Sequence, residues 1–263
     1  MTAVALPRSD NDRRPPLGGF NLTFLGLEIR RVLRNRRTLF FILIMPAVFF
    51  LLFGLPNKGQ NISDTGASAV AYIMISLAVY GAMTATTAGG GAVAVERAQG
   101  WSRQLRLTPL RPAAYVATKV VSAMSLSLCS VVVEFIVGAF GGVRMPAHVW
   151  LLAGLGAWIG SLVFAALGLF VGYLAPAENV MQFMGPILAL LALFGGLFVP
   201  LEVLPHVMQT IAKFTPVYGV GSIARSPLTH SGFTVSSVAN VLIWTAGLGI
   251  GAALLYRRDT ARV

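Results

Sequence analysis

Thr38-Leu39-Phe40-Phe41-Ile42-Leu43-Ile44-Met45-Pro46-Ala47-Val48-Phe49-Phe50-Leu51-Leu52-Phe53-Gly54-Leu55 holds no charged side chain, and after Thr38 no polar one. Coiled as a helix at about 1.5 Å per residue it reaches roughly 27 Å, close to the thickness of a bilayer's hydrocarbon core. Backbone groups in that core have no water to bond, so the stretch has to be a spanning helix. Five more apolar stretches follow, read as Ser68–Val95, Val116–Phe140, Val149–Leu174, Val180–Val199 and Val238–Tyr256. The expected fold is an all-α polytopic bundle of six transmembrane helices. Composition agrees, with 56% hydrophobic and only 11% charged residues, about half the charge usual in a soluble domain. The spans and their loops use nearly all of the 263 residues, which leaves no room here for a soluble catalytic domain. No secretory signal is expected, because the first apolar stretch is long and no small-residue cleavage site follows the basic leader.

The basic residues choose a side. Arg8, Arg13, Arg14, Arg30, Arg31, Arg34, Arg36 and Arg37 precede the first span, Arg97, Arg103, Arg106, Arg111 and Lys119 fall around the second-to-third connection, and Arg257, Arg258 and Arg262 close the chain. The other side receives Lys58, Arg144, Lys213 and Arg225. The positive-inside tendency therefore predicts that both termini are cytoplasmic, in a multi-pass protein of the cell's inner (plasma) membrane. The net charge of +11 is assigned to anionic lipid headgroups and not to nucleic acid, because the arginines flank apolar spans. Met1–Gly19, rich in Pro and Arg, is expected to be a disordered cytoplasmic leader, with the membrane domain occupying 20–263. From Phe20 to Arg37, Leu22, Leu25, Ile29, Val32 and Leu33 repeat at helical spacing opposite Glu28, Arg30, Arg31, Arg34 and Arg37. That pattern predicts an amphipathic helix lying in the membrane interface.

Catalytic readings find little support. Gly89-Gly90-Gly91-Ala92-Val93-Ala94 fits a loose dinucleotide fingerprint but closes a membrane helix, where no βαβ unit can form. No Gly-Lys dipeptide exists, so a phosphate-cradling P-loop is excluded. His148, His206 and His230 fall in separate outer loops, which argues against haem, zinc or an intramembrane serine protease. The single Cys129 lies inside a span and can form no internal disulfide. No catalytic, cofactor-binding or metal site is expected in the chain. Glu134 is the ionisable residue placed within a span, either a polar point on a substrate or proton path or a carboxylate paired internally or at the interface. Gly156, Gly160, Gly168 and Gly172, and Gly247 with Gly251, carry small-xxx-small spacing that favours close helix approach within the chain.

The segment between the second and third spans is the most specific. Glu96-Arg97-Ala98-Gln99-Gly100-Trp101-Ser102-Arg103-Gln104-Leu105-Arg106-Leu107-Thr108-Pro109-Leu110-Arg111-Pro112 reads as a short surface helix and a fixed turn, or as a basic loop on lipid. The run from Glu96 and Arg97 through Gly100, Leu105-Arg106-Leu107-Thr108-Pro109-Leu110 and Tyr115 to Lys119 resembles the coupling segment of type-2 ATP-binding-cassette (ABC) export permeases. Gly195-Gly196-Leu197-Phe198-Val199-Pro200, Leu204-Pro205, Ile211-Ala212, Thr215-Pro216, Tyr218 and Ala224-Arg225 resemble the same family, where they end the fifth span and form a re-entrant outer hairpin. The chain departs from the family pattern at Trp101, where Thr is common, and at Gly195, where Ser is frequent.

The resemblance implies the permease subunit of an ABC exporter that carries a small amphiphile, drug, lipid or envelope precursor out of the cytoplasm. A separate ATPase subunit would bind ATP and Mg. Glu96, Arg97, Gly100, Arg103, Gln104, Leu105, Arg106, Leu107, Thr108 and Pro109 would couple to it, and a second permease chain, identical or paralogous, would complete the path. Pathway or gate candidates are Thr84, Thr86, Thr87, Glu134, Pro200, Pro205 and Pro216. The competing reading is an ion-coupled secondary transporter or a membrane scaffold, although a coupled carrier usually needs more intramembrane charge than one Glu.

Overall fold

The computed structural model describes residues 20–62, 66–101, 110–199, 201 and 205–261. The expected disordered leader lies outside them, as do 102–109 of the connector and Pro200. Six helices are long and apolar enough to cross a membrane. The elements are α1 (Leu22–Arg34), the first span α2 (Arg36–Asn57), α3 (Ala69–Ala98), α4 (Pro112–Phe140), α5 (Ala147–Gly160), α6 (Leu162–Leu174), α7 (Ala177–Phe194), α8 (His206–Phe214), α9 (Pro216–Thr229) and α10 (Val235–Ala261). Helices α5 and α6 form one span, turned at Ser161.

The second span, α3, is the hub. Of its most apolar window 72% is buried, against 11% for α10. It packs on α4, α6, α7 and α9 while α10 lies against α6 and α9. Small side chains permit this: Gly168 and Gly172 of α6 sit against α3 so closely that a Cβ on Gly168 would fall 2.4 Å from the Thr87 carbonyl oxygen, and one on Gly172 3.1 Å from that of Gly90. Gly156 and Gly160 of the same span meet a different partner, Ala224 and Val220 of α9. The repeat thus joins its span to two helices, one per half. Gly251 meets Phe170, whereas Gly247 faces open space.

The first span is irregular. π-helical turns at Phe40–Ile44 and Phe50–Gly54 flank Pro46. Proline has no N–H for the carbonyl four residues back, and that carbonyl, of Ile42, accepts from Ser130 Oγ of α4 at 3.1 Å. Gly81 makes room for the hydroxyl, since a Cβ there would lie 2.4 Å from it.

Two differences from the span boundaries read in the sequence bear on the site. The fifth span stops at Phe194 rather than Val199, because the amides of Gly195 and Leu197 turn back onto the carbonyls of Leu191 and Ala192 and Gly196 adopts a left-handed φ of 77°. The second span runs on to Ala98, which puts Glu96 and Arg97 inside the helix and not in the connector. Gly100, at φ 74°, ends it. Between α7 and α10 lie the two short helices α8 and α9, joined at Thr215-Pro216.

Candidate functional site

Five helices meet at the end of the bundle that carries the arginines. Helix α1 starts at Asn21, whose side chain accepts from the Thr23 amide at 2.8 Å. Its one buried residue is not a leucine but Glu28, and Leu22, Leu27 and Leu33 are exposed. The sequence pattern had assigned Glu28 to the headgroup-facing side. It turns inward because Lys119 of α4 needs a carboxylate: Lys119 Nζ, 3% exposed, donates to Glu28 at 2.5 Å and also to Glu96 of α3. Glu96 further accepts from the Tyr115 hydroxyl and from Arg31, and Arg31 reaches Glu28 at 2.7 Å. Two carboxylates and two cations therefore balance in a mutually bonded cluster, buried except for Arg31, that pins α1 to the ends of α3 and α4. Burial alone would lower the basicity of Arg31, but its hydrogen bond to Glu96 and the charges of both carboxylates outweigh that and raise its pKa above the ordinary value.

The next residue, Arg97, points the other way around α3. Its Nε and Nη2 hold Asp259 of α10 at 3.0 and 2.7 Å, and its Nη1 donates to the carbonyls of Gly172 and Tyr173 at the end of α6. The last carbonyls of a helix lack intrahelical partners. The guanidinium supplies them, and its charge suits that terminus. Consecutive residues thus bind α3 to α1 and α4 on one side and to α6 and α10 on the other. What leaves this knot is the connector, whose residues Arg103, Gln104, Leu105, Arg106, Leu107, Thr108 and Pro109 lie outside the described ones. Its flanks, Trp101 and Arg111, are exposed.

The pathway candidates scatter. Thr86 and Thr87 are fully buried within the chain, Thr86 bonding back to Ala82 and Thr87 to the Phe164 carbonyl of α6 at 3.4 Å. Thr84, half-buried, bonds to Gly81. Helix interiors favour such back-bonding by Thr, which sequence alone does not separate from a polar lining. Glu134 is 1% exposed, and neither carboxylate oxygen has a hydrogen-bond partner among the described residues. The expected internal or interfacial pairing is not found there. Pro205 is exposed at the start of α8, and Pro216 is buried at the first position of α9, where a missing N–H costs nothing. Arg225, counted with the outer loops from sequence, is instead buried in α9.

Residues 22–228 match the family described as ABC-2 type transporter. The chain belongs to the ABC-2 type transporter family. "Putative transport permease YvfS" of Bacillus subtilis (strain 168) is 34% identical over 197 residues, covering 74% of this chain and 80% of that protein. This ABC-2 chain is accordingly a transmembrane transporter subunit, and the family match takes in Glu28, Glu96 and Lys119 together with α8 and nearly all of α9. Lys119 and Tyr115 belong to the run that carried the resemblance, yet their meeting with Glu96 was not anticipated. One signal was available: a Lys seven residues inside an apolar helix needs a carboxylate at its own depth.

Proposed function

We propose that this subunit is the permease of an ABC exporter, moving a small amphiphile, drug, lipid or envelope precursor out of the cytoplasm with energy from a separate ATPase subunit that holds ATP and Mg. The observation that carries the reading is the knot at Glu96 and Arg97 beneath the connector. A push on 99–111 meets a helix end tied to α1, α4, α6 and α10, and so becomes a rigid displacement of the whole basic end. Glu96 and Arg97 act here as positioning residues. Arg103 and Arg106 meet carboxylates of the ATPase, with Leu105 and Leu107 packing beside them.

In this reading the basic end and both termini face the cytoplasm across the plasma membrane, α1 lies in the interface with Leu22, Leu27 and Leu33 in lipid, and α8–α9 dip into the outer leaflet. Exposed Val207, Ile211 and Phe214 on one face of α8 suit that depth. A second permease chain, identical or paralogous, completes the path, and Glu134, Pro200, Pro205 and Pro216 border its outer half. Reversing both Arg103 and Arg106 to Glu is expected to leave membrane insertion intact while abolishing co-purification of the ATPase and ATP-dependent transport. Full transport by ATP-depleted vesicles carrying a proton gradient would overturn the reading in favour of an ion-coupled carrier.

A further inference from the structure

Arg225 is a buried cation that no part of this mechanism uses. It is 6% exposed, and among the described residues no carboxylate pairs with it. Its Nη1 donates to Ser76 Oγ of α3 at 3.0 Å and to the Gly196 carbonyl after α7 at 2.8 Å, and its Cζ lies 4.6 Å from the centre of the Tyr72 ring. All three partners are neutral. A guanidinium stays charged in proteins, and a buried charge without a counter-ion is costly. Among the described residues Nε and Nη2 make no hydrogen bond. Gly221, one turn before, keeps the space beside Nη2, for a Cβ there would stand 3.1 Å from it. Among the described residues, half of a donor fork built to grip two oxygens therefore has no partner.

Its position gives the fork a purpose. Ser76 lies seven residues into α3, about 10 Å from the start of that span and at the end opposite the ionic knot. The α8–α9 pair that carries Arg225 also carries the exposed apolar face of α8, Val207, Ile211 and Phe214. The buried guanidinium on α9 and the apolar face on α8 thus sit on consecutive helices.

We propose that Arg225, backed by the Tyr72 ring, forms a site for the acidic headgroup of an amphiphile, a phosphate or carboxylate, which displaces the neutral acceptors Ser76 and the Gly196 carbonyl when α9 parts from α3. This rests on the exporter reading and narrows its cargo to anionic amphiphiles.

The test uses the full-length chain without any ATPase, in nanodiscs of zwitterionic lipid, titrated with dodecyl phosphate and with dodecyl maltoside of the same tail. Wild type is expected to bind the phosphate about tenfold more tightly, the scale of one charge-assisted hydrogen-bond pair. Arg225→Gln abolishes that preference, Gly221→Ala weakens it by crowding Nη2, and Ser76→Ala, which removes a competing acceptor, preserves it. Competition by inorganic phosphate assigns recognition to the free anion, whereas loss of dodecyl phosphate binding only in phosphatidylglycerol nanodiscs assigns it to bilayer lipid. Both outcomes keep the site. Absence of any phosphate preference in wild type overturns the proposal and needs no variant to fold, as does an undiminished preference in Arg225→Gln. Because no nucleotide is present, failure here with ATPase capture intact removes the headgroup site alone. Loss of capture with the preference intact removes the exporter reading alone.

Discussion

Lys119 donates to two buried carboxylates, and removing it leaves both without their main counter-charge. Lys119→Met is therefore expected to destabilise the folded chain by about 3–5 kcal/mol, the cost of breaking a buried ion pair from one side. Adding Glu96→Gln to it should cost much less than the two single changes summed, because the second neutralises what the first orphaned. Thermal unfolding of the four proteins in detergent measures this, and strict additivity would show that the groups do not interact. Glu134 predicts the opposite sign. With neither oxygen bonded among the described residues, Glu134→Leu removes an unsatisfied buried group and is expected to raise stability by about 1–3 kcal/mol. A loss of similar size would reveal a partner supplied from outside the chain.

At the level of elements, glycine context decides the outcome of a single methyl group. Gly168→Ala puts a Cβ 2.4 Å from backbone in α3, which neither helix can relieve by a rotamer change, so the two must separate at a cost of about 1–3 kcal/mol. Gly247→Ala in α10 meets nothing and should leave stability unchanged or raise it by up to about 1 kcal/mol through helix propensity. Thermal midpoints of both variants test the pair, and equal effects would mean that α3 and α6 are not in close contact. The spacing of Gly156, Gly160, Gly168 and Gly172 announced close packing from sequence. It could not say that the first two meet α9 and the last two α3, since the turn at Ser161 redirects the face halfway. Spans were legible because apolar length is a strong signal, and the fifth end was misplaced because Gly195 through Val199 is as apolar as the helix before it. The ionic knot was hidden for a different reason. Glu28, Arg31, Glu96, Tyr115 and Lys119 come from three helices, so their agreement exists only in three dimensions, and each alone reads as an ordinary basic-side flank.

For the molecule as a whole, orientation has a direct readout. With Cys129 replaced by Ala, a cysteine introduced at Arg257 should react with a membrane-impermeant maleimide only in opened cells, and one at Lys58 in intact cells. The reverse pattern would put the connector outside and end the ATPase reading. The tie between Arg97 and Asp259 closes the basic end across α3 and α10, but its partners are 26% and 31% exposed. Asp259→Asn is therefore expected to cost about 1 kcal/mol or less in stability, with any larger effect confined to ATP-driven transport.

The near-complete enclosure of α3 by its own neighbours has a stoichiometric consequence. In the proposed exporter, a span wrapped by its own chain leaves the wall of the conduit to outward faces, and a second copy would line them. In vesicles made from mixtures of active and disabled subunits, flux should then fall as the square of the active fraction for identical pairs. A straight-line decline would mean that one copy conducts unaided.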